Sequence, residues 1–518
     1  MKKVGIFTVL IGMASFAMAQ ETVAQRYAET ITAEDLKKDL EIIASDSLEG
    51  RETGTKGQKL AADYIANHFK AAGLKVQEQV FELRKQATDT SMVIAQGKQF
   101  NFMEDFYFFP GIPSNSKTFT EIVFLGYGIE DSLYSDFVDS LDLTGKAVVI
   151  LNGEPINRRG DFLLTGTTSS SDWSKNYNKK IDLIESKGAA ALFIIDSKAD
   201  KNMKKYSFYL TRETLGLKKE EKRKDFMPAM FVSEEMADEL LNGKIRSFEK
   251  AGKKIGRKGK NQTEIVSGVT IDMKLKTRVE SIKSSNILGY LEGSDLKEEI
   301  IVITAHYDHL GKKGEDIYNG ADDDGSGTVA VLELADAFAK AKKEGKGPRR
   351  SILFMCVSGE EKGLLGSEYY TENPIYPLAQ TVCNLNIDMI GRVDKEHKKN
   401  PEYVYLIGSD KLSSELHEIS EKANETYTQI ELDYTYNATD DPNRYYYRSD
   451  HYNFAKNNIP VIFYFSGTHK DYHKPTDTVD KIEFEKMTKI TQLVFYTAWD
   501  IANRGRRLVL DLENDFEN

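Results

Sequence analysis

A small set of side chains in the second half of the chain has the types and spacing to do chemistry together: His306 and Asp308, Asp323, the pair Glu360-Glu361, Asp388 and His473. The two imidazoles with three of the five carboxylates are a suitable donor inventory for zinc, whose catalytic sites use His nitrogen and Asp or Glu oxygen. One bridging carboxylate with two ligands on either side would leave an open position on each of two ions, the form of a co-catalytic pair about 3.5–4 Å apart. Taken singly, each residue has a plainer reading. A strand-end His is commonly a hydrogen-bonded surface or core residue, Asp322-Asp323-Asp324-Gly325 reads also as a solvated turn or a weak calcium loop, and Glu360-Glu361 as an exposed pair. Order and position set them apart, because all of them fall at or beyond the carboxyl ends of apolar runs. There, side chains of an α/β protein leave the packed layers and converge on one crevice.

Those apolar runs predict strands over 285–291, 300–305, 352–357, 382–388, 404–407 and 460–465. Helical patterns fit between them, one with Val331, Leu334, Ala335 and Phe338 on a single face. Such alternation predicts an α/β fold with a mostly parallel central sheet and helices on both faces. Nearer the start, Thr32 with Asp35 three residues on predicts a capped helix. A glycine-punctuated turn follows over 45–57, and Ala61, Tyr64, Ile65 and Phe69 mark one face of a helix ending near Gly73. Strands are predicted at 76–83 and 106–109. From about 115 to 260 the texture changes to short buried-type strands near Ile122, over 146–151 and over 190–195, with a helix at 180–188. Lysine-rich pieces at 201–205, 218–224 and 253–260 read as solvated faces.

A chain of 518 residues exceeds one ordinary core and predicts two or three domains. Its net charge of -11 is spread along the chain and argues against nucleic acid or an anionic membrane as main partner. Lys2 and Lys3, an apolar run and Ala17-Met18-Ala19 form the tripartite pattern of a signal peptide cleaved after Ala19. Export to a periplasm or the medium is therefore expected, without stable membrane insertion, since no other run is long enough to span a bilayer. With only Cys356 and Cys383 the fold cannot rest on a disulfide framework; two free buried thiols are expected, with a pairing of the two, if their strands are neighbours, as the alternative. No oligomeric state is legible.

The series His306-x-Asp308, Gly320-Ala-Asp-Asp-Asp-Gly-Ser-Gly327, Ser358-Gly-Glu-Glu361, Asn386-Ile-Asp-Met-Ile-Gly391, Ser449-Asp-His451 and Tyr472-His-Lys-Pro-Thr-Asp-Thr478 resembles the di-zinc aminopeptidase family. That family also contains glutamate carboxypeptidase and the glutaminyl cyclases. The turn Leu48–Thr55 is similar to the amino-terminal part of the same peptidase domain. Leu143–Ile150, Gly188–Phe193 and Met227–Val232 resemble an inserted protease-associated domain. After the signal peptide at 1–19, the resemblance implies a first peptidase part at 20–114, a β-rich α/β insert at 115–260 and a second peptidase part with the metal site at 261–518. It implies two zinc ions per chain, one held by His306 and Asp388, the other by Glu361 and His473, with Asp323 bridging. Asp308 would fix the ring of His306, and the Asp323-Asp324 peptide would be cis.

The activity so implied is that of an exported zinc exopeptidase, foremost an aminopeptidase releasing N-terminal residues from peptides. Water held between the zincs would attack, with Glu360 as general base. The stretch Tyr434, Tyr436, Tyr445, Tyr446, Tyr447 and Arg448 to His451 is expected to line the cleft, with Tyr446, Tyr447, Arg448, Asp450 and His451 touching substrate. Three alternatives stay open: a glutamate-type carboxypeptidase using Arg444 or Arg448 for the terminal carboxylate, a glutaminyl cyclase, against which the insert counts, and a silent binding protein on the same scaffold.

Overall fold

The structure, a computed structural model, describes residues 22–138, 141–218, 226–245, 247–259 and 262–513; the expected signal peptide, Met1–Ala19, lies outside the described residues. The chain divides into two units, one made of the chain up to Phe81 and from Lys283 onward, the other of Glu82–Ile282. The chain passes between them within two long strands, Lys75–Thr88 and Thr277–Leu291.

In the first unit the apolar runs become strands close to the expected positions: β1 Lys75–Thr88, β2 Thr277–Leu291, β3 Leu296–His306, β4 Arg350–Val357, β5 Thr381–Ile387, β6 Tyr403–Ile407, β7 Glu431–Asp433 and β8 Val461–Phe465. Their order across the sheet is β7-β6-β8-β5-β3-β4-β2-β1. The centre is parallel, β3 pairing with β4 and β5, and β5 with β8. Antiparallel pairs of β2 with β4 and of β6 with β8 flank it. Strand alternation gives the sheet two apolar faces. Ile301, Ile303 and Ala305 of β3 join one buried cluster with Phe354 and Cys356 of β4. Val302 of β3 joins another with Leu353, Met355 and Val357.

The first cluster is covered by helices α1 Val23–Ala28, α2 Ala33–Ile43, α3 Lys56–Ala71 and α4 Gly327–Lys343, with α6 Ser414–Ala423 and α8 Phe484–Asn503. The second is covered by α5 Leu365–Glu372, α7 His451–Ala455 and the tyrosine-rich turns beside them. Helix α2 starts where its cap predicts: Thr32 Oγ1 accepts from the Asp35 backbone N–H at 3.2 Å and its hydroxyl donates to Asp35 Oδ2 at 2.7 Å. In α4, Val329, Val331, Leu332, Leu334 and Phe338 are all fully buried. Each such side chain contributes about 1.5–3 kcal/mol of transfer free energy, so this helix is held by its apolar faces and not by propensity. Cys356 and Cys383 are buried and free, on β4 and β5, with β3 between them.

The second unit carries an eight-stranded sheet in the order 98–101, 92–95, 263–275, 115–125, 147–151, 191–195, 229–232 and 106–107. Its limits differ from the expected 115–260. The reason is hydrogen bonding: 263–275 pairs with both 92–95 and 115–125, and its Val266, Ile271, Met273 and Leu275 enter the same core. The far end of β1, past Phe81, also pairs with Thr214–Leu217 in this unit.

One buried cation ties the glycine-punctuated turn to the sheet of the first unit. The Arg51 guanidinium donates to the carbonyls of Ile43, Tyr307, Asn319 and Gly320 at 2.6–3.0 Å. Burial pulls it down to about 10, against the raising effect of Asp308, Asp323, Asp324 and Asp477. Arg51→Met would leave buried carbonyls without donors, each costing about 1–3 kcal/mol. The expected loss is about 3 kcal/mol or more in denaturant unfolding; a loss below about 1 kcal/mol would contradict this role.

Candidate metal centre

His306 ends β3 and is buried. Its Nδ1 lies 3.0 Å from the Asp308 carbonyl oxygen. A carbonyl only accepts, so Nδ1 carries the proton and Nε2 offers its lone pair to the site. This corrects the expectation for Asp308 in one respect. Its carboxylate stays 3.8 Å from His306 Nδ1 and instead accepts from the Thr53 hydroxyl at 2.6 Å and the Glu360 backbone N–H at 3.3 Å. Asp308 thus fixes His306 through its carbonyl and positions Glu360 through its side chain.

The three successive aspartates sit in a wide turn, Ala321–Ser326, that leads into α4. The flanking pair serve the backbone. Asp322 Oδ1 accepts from the Gly391 N–H at 2.6 Å; Asp324 accepts from the N–H groups of Gly327, Met389 and His306 at 2.8–3.2 Å. Asp477 Oδ2 accepts from the N–H groups of Asp322 and Asp323 at 3.0 and 3.2 Å. Only Asp323 is left to face the site, and the Asp323-Asp324 peptide is cis. Gly327 is required here, since a Cβ would lie 2.5 Å from both Asp324 carboxylate oxygens and from the Ile387 carbonyl.

Glu361 follows β4 through a turn at Gly359, Asp388 follows β5 directly, and His473 lies in the loop after β8 with its ring stacked on Tyr472 at 3.8 Å. Two donor triads result, sharing Asp323 by one oxygen each. His306 Nε2 is 3.3 Å from Asp323 Oδ1 and 3.7 Å from Asp388 Oδ1. His473 Nε2 is 3.1 Å from Asp323 Oδ2 and 3.3 Å from Glu361 Oε2. Tetrahedral zinc with bonds of about 2.0–2.1 Å places neighbouring donors roughly 3.3 Å apart, so both triads fit the ion. The electrostatics agree: burial opposes a charge on His473, yet Asp323 and Glu361 outweigh it and push the imidazole up to about 10. The cluster calls for positive charge between its carboxylates.

A hydrogen-bonded chain across the strands orients Asp388. The Thr304 hydroxyl donates to Asn386 Oδ1 at 2.6 Å, Asn386 Nδ2 to Ser449 Oγ at 2.8 Å, and the Ser449 hydroxyl to Asp388 Oδ2 at 2.7 Å. Partners of this kind typically change metal affinity about 10–100-fold when removed. Ser449→Ala is therefore expected to weaken binding at the His306–Asp388 position by that factor in a chelator-competition titration; unchanged affinity would contradict the role.

Glu360 stands beside the triads without belonging to either, its Oε2 3.8 Å from His306 Nε2. Burial, reinforced by Glu361 and Asp388, raises its carboxyl well above the ordinary carboxylate range, against the lowering effect of His306. Next to Asp323, Glu360, Asp388 and His473 a small cavity of 40 Å³ is walled by Met389, Tyr445, Arg448, Phe463, Phe465 and Tyr472. Of the expected substrate contacts, Arg448 borders it. Tyr446 is buried against Tyr447, His451 and Tyr452. Asp450 is buried and accepts from the Ser367 hydroxyl, and the His451 ring stacks on Phe463 at 4.7 Å. Tyr434 and Tyr436 pack on His417 and Tyr405 instead. The tight turn Tyr445–Tyr447 sends successive rings in different directions, so adjacency in sequence did not carry over to the cavity wall.

One residue of the site was not anticipated. His309 is fully buried, with Nδ1 2.9 Å from Glu361 Oε1 and 3.8 Å from Asp323 Oδ2. Among the described residues, two groups bring metal-type donor atoms within 4.8 Å of one another: His306, Asp323 and Asp388, and His309, Asp323 and Glu361. The available signal was a second imidazole three residues after the first, at the same strand end.

Residues 286–498 match Peptidase family M28. A probable leucine aminopeptidase of Arthroderma otae is 30% identical over 227 residues, 42% of this chain and 58% of that protein. Aminopeptidase YwaD of Bacillus subtilis is 27% identical over 232 residues, 43% of this chain and 46% of that protein. The chain thus spans about half the length of these relatives. The solved aminopeptidase from Aneurinibacillus sp. strain AM-1 shares the fold, with a TM-score of 0.52 at 20% identity, covering 94% of this chain and 98% of that one. The residues that assemble the two triads all fall within the region, 286–498, that matches Peptidase family M28.

Proposed function

We propose that the chain is a zinc-dependent exopeptidase, foremost an aminopeptidase acting on peptides, with two zinc ions per chain. The observation that carries this reading is the pair of donor triads sharing Asp323, with a buried carboxylate, Glu360, beside them and outside both. The aminopeptidase names of the relatives support it. His306, Asp388 and Asp323 would hold one ion; Asp323, Glu361 and His473 the other. Bound there, zinc supplies Lewis acidity that polarises a carbonyl and makes a water more acidic. Glu360 accepts the proton of the attacking water and delivers it to the departing amine. Asp308, through the Glu360 backbone N–H, keeps that carboxylate in place. Phe463, Phe465 and Met389 offer an apolar wall to the side chain beside the scissile bond. An amide of leucine with a chromogenic leaving group is expected to be hydrolysed, to be spared after chelation, and to be hydrolysed again on adding zinc. Chelator-insensitive hydrolysis, or none with zinc, would sink the proposal.

A second reading draws on Arg448, which borders the cavity and has a guanidinium suited to a substrate carboxylate. It is a carboxypeptidase of the glutamate type. Arg448→Ala would then raise KM for substrates with a free carboxyl end and leave carboxyl-amidated ones unaffected; equal effects on both would exclude it.

Export follows from the pattern of Met1–Ala19. Amino-terminal sequencing of protein recovered outside the cytoplasm is expected to begin at Gln20, and an intact Met1 there would contradict this. The unit Glu82–Ile282 is proposed as the protease-associated insert, since it contains all three segments that carry that resemblance. Two calorimetric transitions are expected for the full chain, and a single cooperative one would argue against an independent unit.

A further inference from the structure

We infer that His309 is a ligand of the second zinc ion, so that this ion has four protein donors, His309, His473, Glu361 and Asp323, while the first has three. The inference rests on the two-zinc reading above. His309 lies three residues past the end of β3, and its backbone N–H donates to the Arg51 carbonyl at 3.2 Å, which holds that segment in place. The ring is entirely withdrawn from solvent, and neither Nδ1 nor Nε2 makes a hydrogen bond. Buried polar atoms are nearly always paired, so a buried imidazole with both nitrogens unpaired calls for a partner absent from the chain itself.

The position of Nδ1 says what that partner is. It lies 2.9 Å from Glu361 Oε1, a hydrogen-bonding distance, yet neither that oxygen nor Asp323 Oδ2, 3.8 Å away, has a hydrogen-bond partner. Three donor atoms crowd together without bonding to one another, which is how ligands are arranged around a common cation. Their separations bracket the roughly 3.3 Å edge expected for tetrahedral zinc. Across the same carboxylates stands His473, its ring 5.9 Å from that of His309 and inclined at 67°. The two imidazoles therefore approach Glu361 and Asp323 from different sides.

Donor number separates the roles of the two positions. Zinc held by four protein residues is characteristically the closed, tightly retained kind, whereas three leave a position open to water or substrate. The second ion is then the more firmly held, and the exchangeable position belongs to the ion at His306 and Asp388.

The test uses the full chain, stripped of metal and titrated with zinc against a chromophoric chelator. Wild type is expected to take up two ions with clearly separated affinities. In His309→Ala the tighter affinity should fall by on the order of 100-fold or more, beyond the ~10–100-fold typical of losing an outer partner. His309→Asn keeps an N–H donor for Glu361 without a good zinc ligand, and wild-type affinity in that variant would overturn the inference in favour of an orienting hydrogen bond. His309→Cys loaded with cobalt gives an independent readout. A thiolate-to-cobalt charge-transfer band is expected, and its absence in a folded, cobalt-loaded protein would also overturn the inference. Fewer than two zinc ions on wild type would overturn the underlying two-zinc reading itself.

Discussion

Glu360→Gln is expected to lower kcat by about 10²–10⁴-fold, the range that a positioned general acid–base contributes, while zinc content stays at the wild-type level. In barrier height that is about 3–5 kcal/mol. Glutamine has nearly the same shape, so packing around the site and the backbone N–H donation to Asp308 should survive. What it lacks is the capacity to accept the proton of the attacking water and return it. Glu360 belongs to neither donor triad, so the loss should appear in kcat and leave metal affinity alone. KM should change little. A variant that loses zinc along with turnover would make Glu360 a ligand, and one that keeps normal turnover would remove its role altogether.

Asp323→Ala is expected to abolish activity, by on the order of 10⁴-fold or more, past the general-base range, because it removes the donor common to both triads. Zinc content should fall on both sides, whereas Asp323→Asn, with a single carbonyl oxygen, should keep one side better supplied than the other. The stability consequence has a definite sign. Without metal, His306 and His473 hold the buried Asp323 carboxyl well below the ordinary carboxylate range, so removing it leaves those imidazoles without their partner and the stripped variant should be less stable than the stripped wild type. With metal, wild type gains about 2.7 kcal/mol at a zinc concentration of 100 Kd, and the variant should gain far less. Thermal melts with and without zinc measure both effects. A zinc-dependent rise in Tm of wild-type size in Asp323→Ala would contradict the bridging assignment.

The strands of the first unit were legible because buried parallel strands read as continuous apolar runs. Ile300–Ala305 and Ile352–Val357 have no competing pattern, and chemistry-bearing residues follow at their ends. The triads were legible for the same reason, since strand ends of one sheet converge whatever their separation in sequence. Asp323 stood out from its neighbours only through the family pattern; the structure supplies the physical cause, as Asp322 and Asp324 are consumed by backbone donors. His309 was hidden by its nearness to His306, because nothing local distinguishes a second strand-end imidazole that packs from one that enters the site. The tyrosines misled: Tyr446 and Tyr447 were grouped with Tyr445 by adjacency, but in a tight turn neighbouring side chains diverge. The limits of the second unit escaped because 92–95 and 263–275 become strands of that sheet through partners far away in sequence. Arg51 escaped too, since a buried guanidinium serving four carbonyls reads in sequence as one more charge in a turn.

The measurement that bears most directly on the central claim is mass-spectrometric digestion of a mixed peptide pool by the zinc-loaded protein, beside the same pool acetylated at its amino ends. Ladders that lose residues one at a time from the free amino end, and that are missing from the acetylated pool, are the predicted result. Shortening from the carboxyl end in both pools, or no shortening in either, would contradict the aminopeptidase account.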